Sequence, residues 1–225
     1  MEKVIACDFD GTITEEDVCD EIMTAFSDVD WQSIGEEYVR GEISHAEMNA
    51  RFIQSVRATP AQLDEFLLDR IRLRAGFHYF LERCKEEHTI LIILSGGWDY
   101  YIRKILGGTK LNFPKSLEKV TSVVRDEIAV VCNNIVYKPG NGWSIEFPFS
   151  AHSKECTPDK RAVVTAIKGS GCQELTIIGD GFTDQGMAVA AHRVFARKSL
   201  VDFCRNHRIS FECFEDFNDI SSRLF

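Results

Sequence analysis

A chain of 225 residues, 44% hydrophobic and 27% charged, has the composition of a soluble globular protein and room for one large α/β domain, or for a core with an insert. Its formal net charge of -9 argues against a nucleic-acid binder, which would carry a basic face, and no apolar run approaches the roughly 18 residues of a membrane span. A strand pattern begins almost at the first residue, leaving no room for a signal peptide. The eight cysteines show no Cys-x-x-Cys pair or metal-ligand rhythm, so reduced thiols and a cytoplasmic location are expected.

Val4-Ile5-Ala6-Cys7 is uncharged, β-rich and too short for a helix, which predicts a buried strand. It runs straight into Asp8-Phe9-Asp10-Gly11-Thr12. Residues 15–74 then change character: Val18, Ile22 and Phe26, and later Met48, Phe52 and Val56, recur at helical spacing. Ser44 followed by Glu47, and Thr59 followed by Pro60, mark two helix starts. A helical insert over 15–74 therefore separates two parts, 1–14 and 75–225, of one α/β core. The alternation resumes with a helix over 76–87, a strand over 89–94 ending in Ser95-Gly96-Gly97, and a helix over 98–106. A short strand is expected over 120–124, and a hairpin over 128–149 turning at Pro139-Gly140-Asn141-Gly142. Pro158-Asp159 opens a helix carrying Lys160, and a strand over 174–178 ends in Gly179-Asp180-Gly181-Phe182-Thr183-Asp184. Helices over 184–191, 199–206 and 216–224 alternate with strands over 193–196 and 209–213. The expected fold is a doubly wound, mostly parallel, Rossmann-like sheet.

Acids, a glycine and hydroxyls at the carboxyl end of a buried strand stand where ligands bind in such sheets. A carboxylate there can act as a covalent nucleophile in phosphoryl transfer, and a second one can hold a hard cation or move a proton. The plainer alternative is a strand end closed by an Asp-Gly turn, and Gly179-Asp180-Gly181 admits the same alternative as an N-capped turn.

The four segments around Asp8, Ser95, Lys160 and Asp180, in that order, resemble the four motifs of the haloacid dehalogenase superfamily of phosphohydrolases, and they span most of the chain. The resemblance implies Asp8 as nucleophile, Asp10 as general acid and base, and Ser95 and Lys160 as partners of the phosphoryl group. Lys154, Arg161 and Lys168 are the neighbouring competitors for the lysine role. Gly11, Thr12 and Gly96 would also contact phosphate. Mg2+ is the implied cofactor, held by the Asp8 and Asp180 carboxylates and the Asp10 backbone carbonyl, with Asp184 supporting it from behind. An insert after the first motif is the cap of this superfamily, and an all-helical one resembles the phosphoserine phosphatase branch. There Asp17 and Arg51 fall where substrate contacts are expected. Asp17 is shorter than that branch's usual Glu, and Asp10-Gly11-Thr12 replaces its Asp-Ser-Thr. The tract Cys132-Asn133-Asn134, Phe147-Pro148-Phe149, His152-Ser153 and Cys156 is instead similar to the branch that dephosphorylates 2-hydroxy-3-keto-5-methylthiopentenyl-1-phosphate in methionine salvage. Phosphoserine, phosphocholine or phosphoethanolamine are the alternative substrates, and a non-catalytic phospho-ligand binder on the same fold is the alternative from another class. The partner is a small phosphorylated metabolite, and the sequence does not choose between monomer and homodimer.

Overall fold

The computed structural model describes residues 3–122, 127–149 and 158–225. Its strands, in chain order, are β1 (Lys3–Cys7), β2 (Ile90–Trp98), β3 (Leu111–Asn112), β4 (Ile128–Lys138), β5 (Gly142–Glu146), β6 (Glu174–Gly179), β7 (Arg193–Ala196) and β8 (Glu212–Cys213). Four helices fill the span between β1 and the next α/β unit: α1 (Val18–Phe26), α2 (Trp31–Val39), α3 (His45–Ser55) and α4 (Pro60–Arg70). The remainder are α5 (Phe77–Glu86), α6 (Asp99–Ile105), α7 (Leu117–Thr121), α8 (Lys160–Gly169), α9 (Gln185–Ala190), α10 (Lys198–Asn206) and α11 (Phe217–Leu224).

Side chains alternate across a strand, and on β1 both faces are buried. Val4 and Ala6 pack with Ile92, Val164, Ile167 and Leu200 on one side of the sheet. Ile5 and Cys7 pack with Ile93, Phe80 and Phe217 on the other. A strand covered on both faces is a continuous apolar run, which is how β1 reads. The sheet order is β3-β4-β2-β1-β6-β7-β8, parallel throughout, with β5 added antiparallel to the far half of β4. The chain leaves β1 toward β2 on one side and later returns to β6 on the other. The carboxyl end of β1 is therefore the switch point at which an open sheet forms a crevice. All three strand ends at that crevice carry the segments singled out from the sequence.

The helix starts follow local chemistry. Ser44 Oγ accepts from Glu47 N at 3.1 Å, and Thr59 forms a reciprocal box with Gln62 ahead of Pro60. One expectation fails: over its described part, the strand expected at 120–124 is the end of helix α7, whose cap, Ser116 Oγ, accepts from Lys119 N at 3.4 Å. Val120 is buried from a helix, so its β-branched side chain signalled burial and not extension. The two-residue strand β3 carries no sequence pattern at all, and the strand expected over 209–213 is limited to Glu212–Cys213.

Candidate active site

Asp8 leaves β1 with its amide still in the ladder, donating to Ile178 O at 2.9 Å, and its side chain is buried. Lys160 is the first residue of α8, where Asp159 caps the helix by accepting from Ala162 N at 3.0 Å. The Lys160 Nζ lies 2.5 Å from Asp8 Oδ1 and 2.7 Å from Asp184 Oδ1. Burial alone would pull the lysine down; the Asp184 and Asp8 carboxylates outweigh it and hold Lys160 above its ordinary value, as an ammonium ion. Asp8 is pushed up by burial and then by Asp184, with Lys160 pulling against both. The second Asp8 oxygen accepts from the Thr12 hydroxyl at 3.3 Å.

Asp184 Oδ2 accepts from the amides of Asp180 and Gly181 at 2.9 and 3.1 Å. Gly179 makes room for it, since a Cβ there would stand 2.5 Å from that oxygen. Asp8, Asp180 and Asp184 each bring a carboxylate oxygen within 4.8 Å of the others. Lys160 and, on Asp180 at 2.8 Å, Lys198 neutralise two of these three charges. An all-oxygen set with charge left over is what a hard divalent cation such as Mg2+ binds, so the residues fit that ion.

Asp10 is held differently. Its Oδ2 accepts from the Ser95 hydroxyl at 3.0 Å and from the Tyr101 hydroxyl at 2.7 Å. Among the described residues its Oδ1 is buried with no hydrogen-bond partner. Burial, followed by the charge of Asp17, pushes Asp10 up to about 7, against the opposing pull of the Tyr101 and Ser95 hydrogen bonds. Ser95 also accepts from Gly97 N at 2.9 Å, and Gly96 O accepts from Asn133 Nδ2 at 2.7 Å. Gly11 has φ +71°, and a Cβ there would meet Asp180 Oδ2 at 2.6 Å. Its amide donates to Glu16 O at 2.9 Å, so what Gly11 provides here is close approach.

The crevice widens into a cavity of about 1090 Å³ beneath α1, α2 and α3. Asp8, Asp10, Asp17, Gly96 and Asp180 line its catalytic end; Trp31, Val39, Met48, Phe52 and Phe182 line much of the rest. Arg51 is not brought to it: the guanidinium pairs with Glu37 at 2.8 Å and with Glu47, and is well exposed. His45, Met48, Asn49 and Phe52, on the same helix, are the residues that reach the cavity. Asn49 Oδ1 accepts from Trp98 Nε1 at 2.9 Å, joining α3 to the end of β2. His45 lies against Gly96, where a Cβ would come within 2.8 Å of Cε1. Burial, then Lys160, lowers His45 to about 4, so it is neutral.

No site role for Tyr101, Asn133, Lys198, His45 or Asn49 is legible in the sequence. Only Asn133 fell in a tract noted beforehand, and no local pattern marks the others. Cys132 is a buried thiol; His152, Ser153 and Cys156 lie outside the described residues. No helix among the described residues is long and apolar enough to cross a membrane.

A 2-hydroxy-3-keto-5-methylthiopentenyl-1-phosphate phosphatase of Bacillus cereus (strain B4264) is 26% identical over 231 aligned residues, covering 100% of this chain and 96% of that protein. The protein of the same name from Bacillus thuringiensis (strain Al Hakam) is 25% identical over 228 residues. Among solved structures, a phospho-aspartyl intermediate analogue of phosphoserine phosphatase matches with a TM-score of 0.66 at 18% identity, covering 99% of this chain and 98% of that one. A phosphoserine phosphohydrolase-like protein from Francisella tularensis matches with a TM-score of 0.63 at 16% identity over 100% of both chains. These structures share the fold. The family model for haloacid dehalogenase-like hydrolases matches residues 5–188, and the chain belongs to that family.

Proposed function

We propose that this protein is a Mg2+-dependent phosphatase that hydrolyses a small phosphate monoester through an aspartyl-phosphate on Asp8. The observation that carries the reading is the pairing of two differently held aspartates at one strand end. Asp8 is fixed by Lys160 and Thr12, whereas Asp10 keeps one oxygen without a hydrogen-bond partner among the described residues. Asp8 attacks phosphorus as the bond to the leaving oxygen breaks, and that oxygen takes its proton from Asp10. Water then attacks the aspartyl-phosphate, giving its proton to Asp10; phosphate departs and Asp8 is restored. Lys160 stays charged throughout and offsets charge on the phosphoryl oxygens, with the Gly96 amide presented beside them. Asp8, Asp180, the Asp10 carbonyl and, from behind, Asp184 would hold Mg2+, which supplies further compensation of phosphoryl charge.

The apolar wall formed by Trp31, Val39, Met48, Phe52 and Phe182 supports a substrate with an apolar tail, of the class that the Bacillus relatives' name describes. A serine carboxylate would need a cation. Among the described residues the one guanidinium lining the cavity, Arg40, is taken by Glu42 at 2.7 Å and Glu36 at 3.4 Å. Asp17 and Asp20, which also line the cavity, favour a second reading, the phosphate ester of an amino alcohol. Phosphate release from a panel of both ester classes, with and without Mg2+, tests the choice. Asp8→Asn should abolish turnover while the variant still folds, and an active Asp8→Asn enzyme would end the mechanism.

A further inference from the structure

We propose that Tyr101 is the positioning residue for Asp10: its hydroxyl fixes which carboxylate oxygen stays with the protein and which one faces the leaving group. This rests on the acid–base reading of Asp10 above and adds a residue to it. Tyr101 is fully buried on α6, its ring between Phe9 at 5.9 Å and Trp98 at 6.0 Å. Packing needs only the ring, and a phenylalanine would fill that space. The hydroxyl instead crosses toward the crevice and donates to Asp10 Oδ2 at 2.7 Å. It can do so because residue 97 is glycine: a Cβ there would lie 1.5 Å from the tyrosine oxygen and 2.8 Å from Asp10 Oδ2.

Ser95 donates to the same Oδ2 at 3.0 Å. Two donors on one oxygen leave the carboxylate no freedom to exchange its oxygens. Oδ1, which has no hydrogen-bond partner among the described residues, is then the atom that carries and receives the proton. A buried tyrosine satisfied by any convenient acceptor would show the same distance. The difference lies in catalysis: a positioning residue affects only proton transfer to the leaving group.

The test is kcat/KM for phenyl phosphate and p-nitrophenyl phosphate in Mg2+ for the wild type, Tyr101→Phe and Gly97→Ala. This parameter ends at the first irreversible step, so hydrolysis of the aspartyl-phosphate does not enter it. Phenoxide leaves slowly without a proton; p-nitrophenoxide leaves without one readily. Tyr101→Phe should lower kcat/KM at least about 10-fold more for phenyl phosphate than for p-nitrophenyl phosphate, within the range that general acids supply. Gly97→Ala keeps the hydroxyl but displaces it, and should shift the ratio in the same direction. The ratio does not depend on how much enzyme is folded, so partial misfolding cannot imitate it. An unchanged ratio in both variants, whether activity falls or not, overturns the role of Tyr101 and leaves the phosphatase reading standing. A wild type that hydrolyses neither these esters nor any member of the wider panel overturns that reading and this inference with it.

Discussion

Asp180 and Asp184 present the same functional group four residues apart, and their surroundings make them behave differently. Asp184 is fully buried, with Lys160 on one oxygen and two backbone amides on the other. Removing it leaves a buried ammonium with one partner fewer and two amides without acceptors, a loss of about 3–5 kcal/mol. In a chain of this length that is a fall in melting temperature on the order of 10 °C. Asp180 faces the cavity, and its ion-pair partner Lys198 is more than half exposed. Truncating it costs about 1 kcal/mol at most, and relief of crowding with Asp8 and Asp184 offsets even that. Asp180→Ala should therefore melt near the wild type yet need at least about tenfold more Mg2+ for half-maximal activity, since a direct ligand is gone. Asp184→Ala should melt early whether or not Mg2+ is added. Thermal melts beside a metal titration separate the two. Equal melting temperatures would show that the amide and lysine contacts of Asp184 do not hold the loop.

At the scale of elements, two attachments decide whether the site keeps its shape. The turn after Asp10 is tied down by Arg74, whose Nε donates to Thr12 O at 2.8 Å and whose Nη2 donates to Gly11 O and Thr14 O at 2.8 and 2.9 Å. Arg74→Leu keeps bulk but strips three buried carbonyls of their donors. It should cost about 3 kcal/mol and reduce turnover on every ester alike, as read by denaturant melts and kinetics. The second attachment is α3. Asn49→Ala breaks its bond to Trp98 and frees the helix from the end of β2, so KM should rise with kcat less affected. Arg51→Ala, on the outer side of the same helix, should change neither; a selective loss on one substrate would bring Arg51 back to the cavity in a closed state. These contacts also mark the limit of what the sequence reveals. Asp8, Asp10, Lys160 and Asp180 were legible because each follows a strand end or helix start that announces itself locally. Arg74 resembles an ordinary loop charge and Tyr101 an ordinary core aromatic, because their partners lie 60 to 63 and 91 residues away. Periodicity reports which face is buried and is silent about which hydroxyl meets which carboxylate. The same limit turned Val120 into an expected strand.

For the whole molecule, the governing fact is that a chain of net charge -9 gathers six aspartates, Asp8, Asp10, Asp17, Asp20, Asp180 and Asp184, at one crevice. Folding without a cation must bring those charges together, and the pH dependence of stability should expose it. Asp10 has a folded value of about 7 against about 3.9 in the unfolded chain, so the native state holds a proton that the unfolded chain gives up. A raised value contributes stability that is complete below about pH 4 and is lost as pH climbs through about 7. Over that window the loss is at most about 4 kcal/mol, from roughly 1.36 kcal/mol per unit. Asp8, also raised, acts in the same direction. His45 acts in the opposite one: its folded value of about 4 lies below the unfolded 6.5, so its contribution is complete above about 6.5 and fades as pH falls through about 4. In chelator, then, the melting temperature should fall from pH 6.5 to pH 8, where His45 no longer titrates. Between pH 4 and 6.5 His45 offsets only part of the loss from the raised carboxylates, so the melting temperature should also fall there, less steeply than the carboxylates alone would make it. Mg2+ binds the ionised cluster of the native state only and should restore the loss, by about 2.7 kcal/mol at one hundred times its dissociation constant. The rise on adding Mg2+ should accordingly be larger at pH 8 than at pH 5.5. Asp10→Asn should shallow the fall above pH 6.5 in chelator, and His45→Gln should steepen the fall between pH 4 and 6.5. A Mg2+ effect of equal size at both pH values, with the slopes of both variants unchanged, would show that these carboxylates and this imidazole do not couple folding to protons.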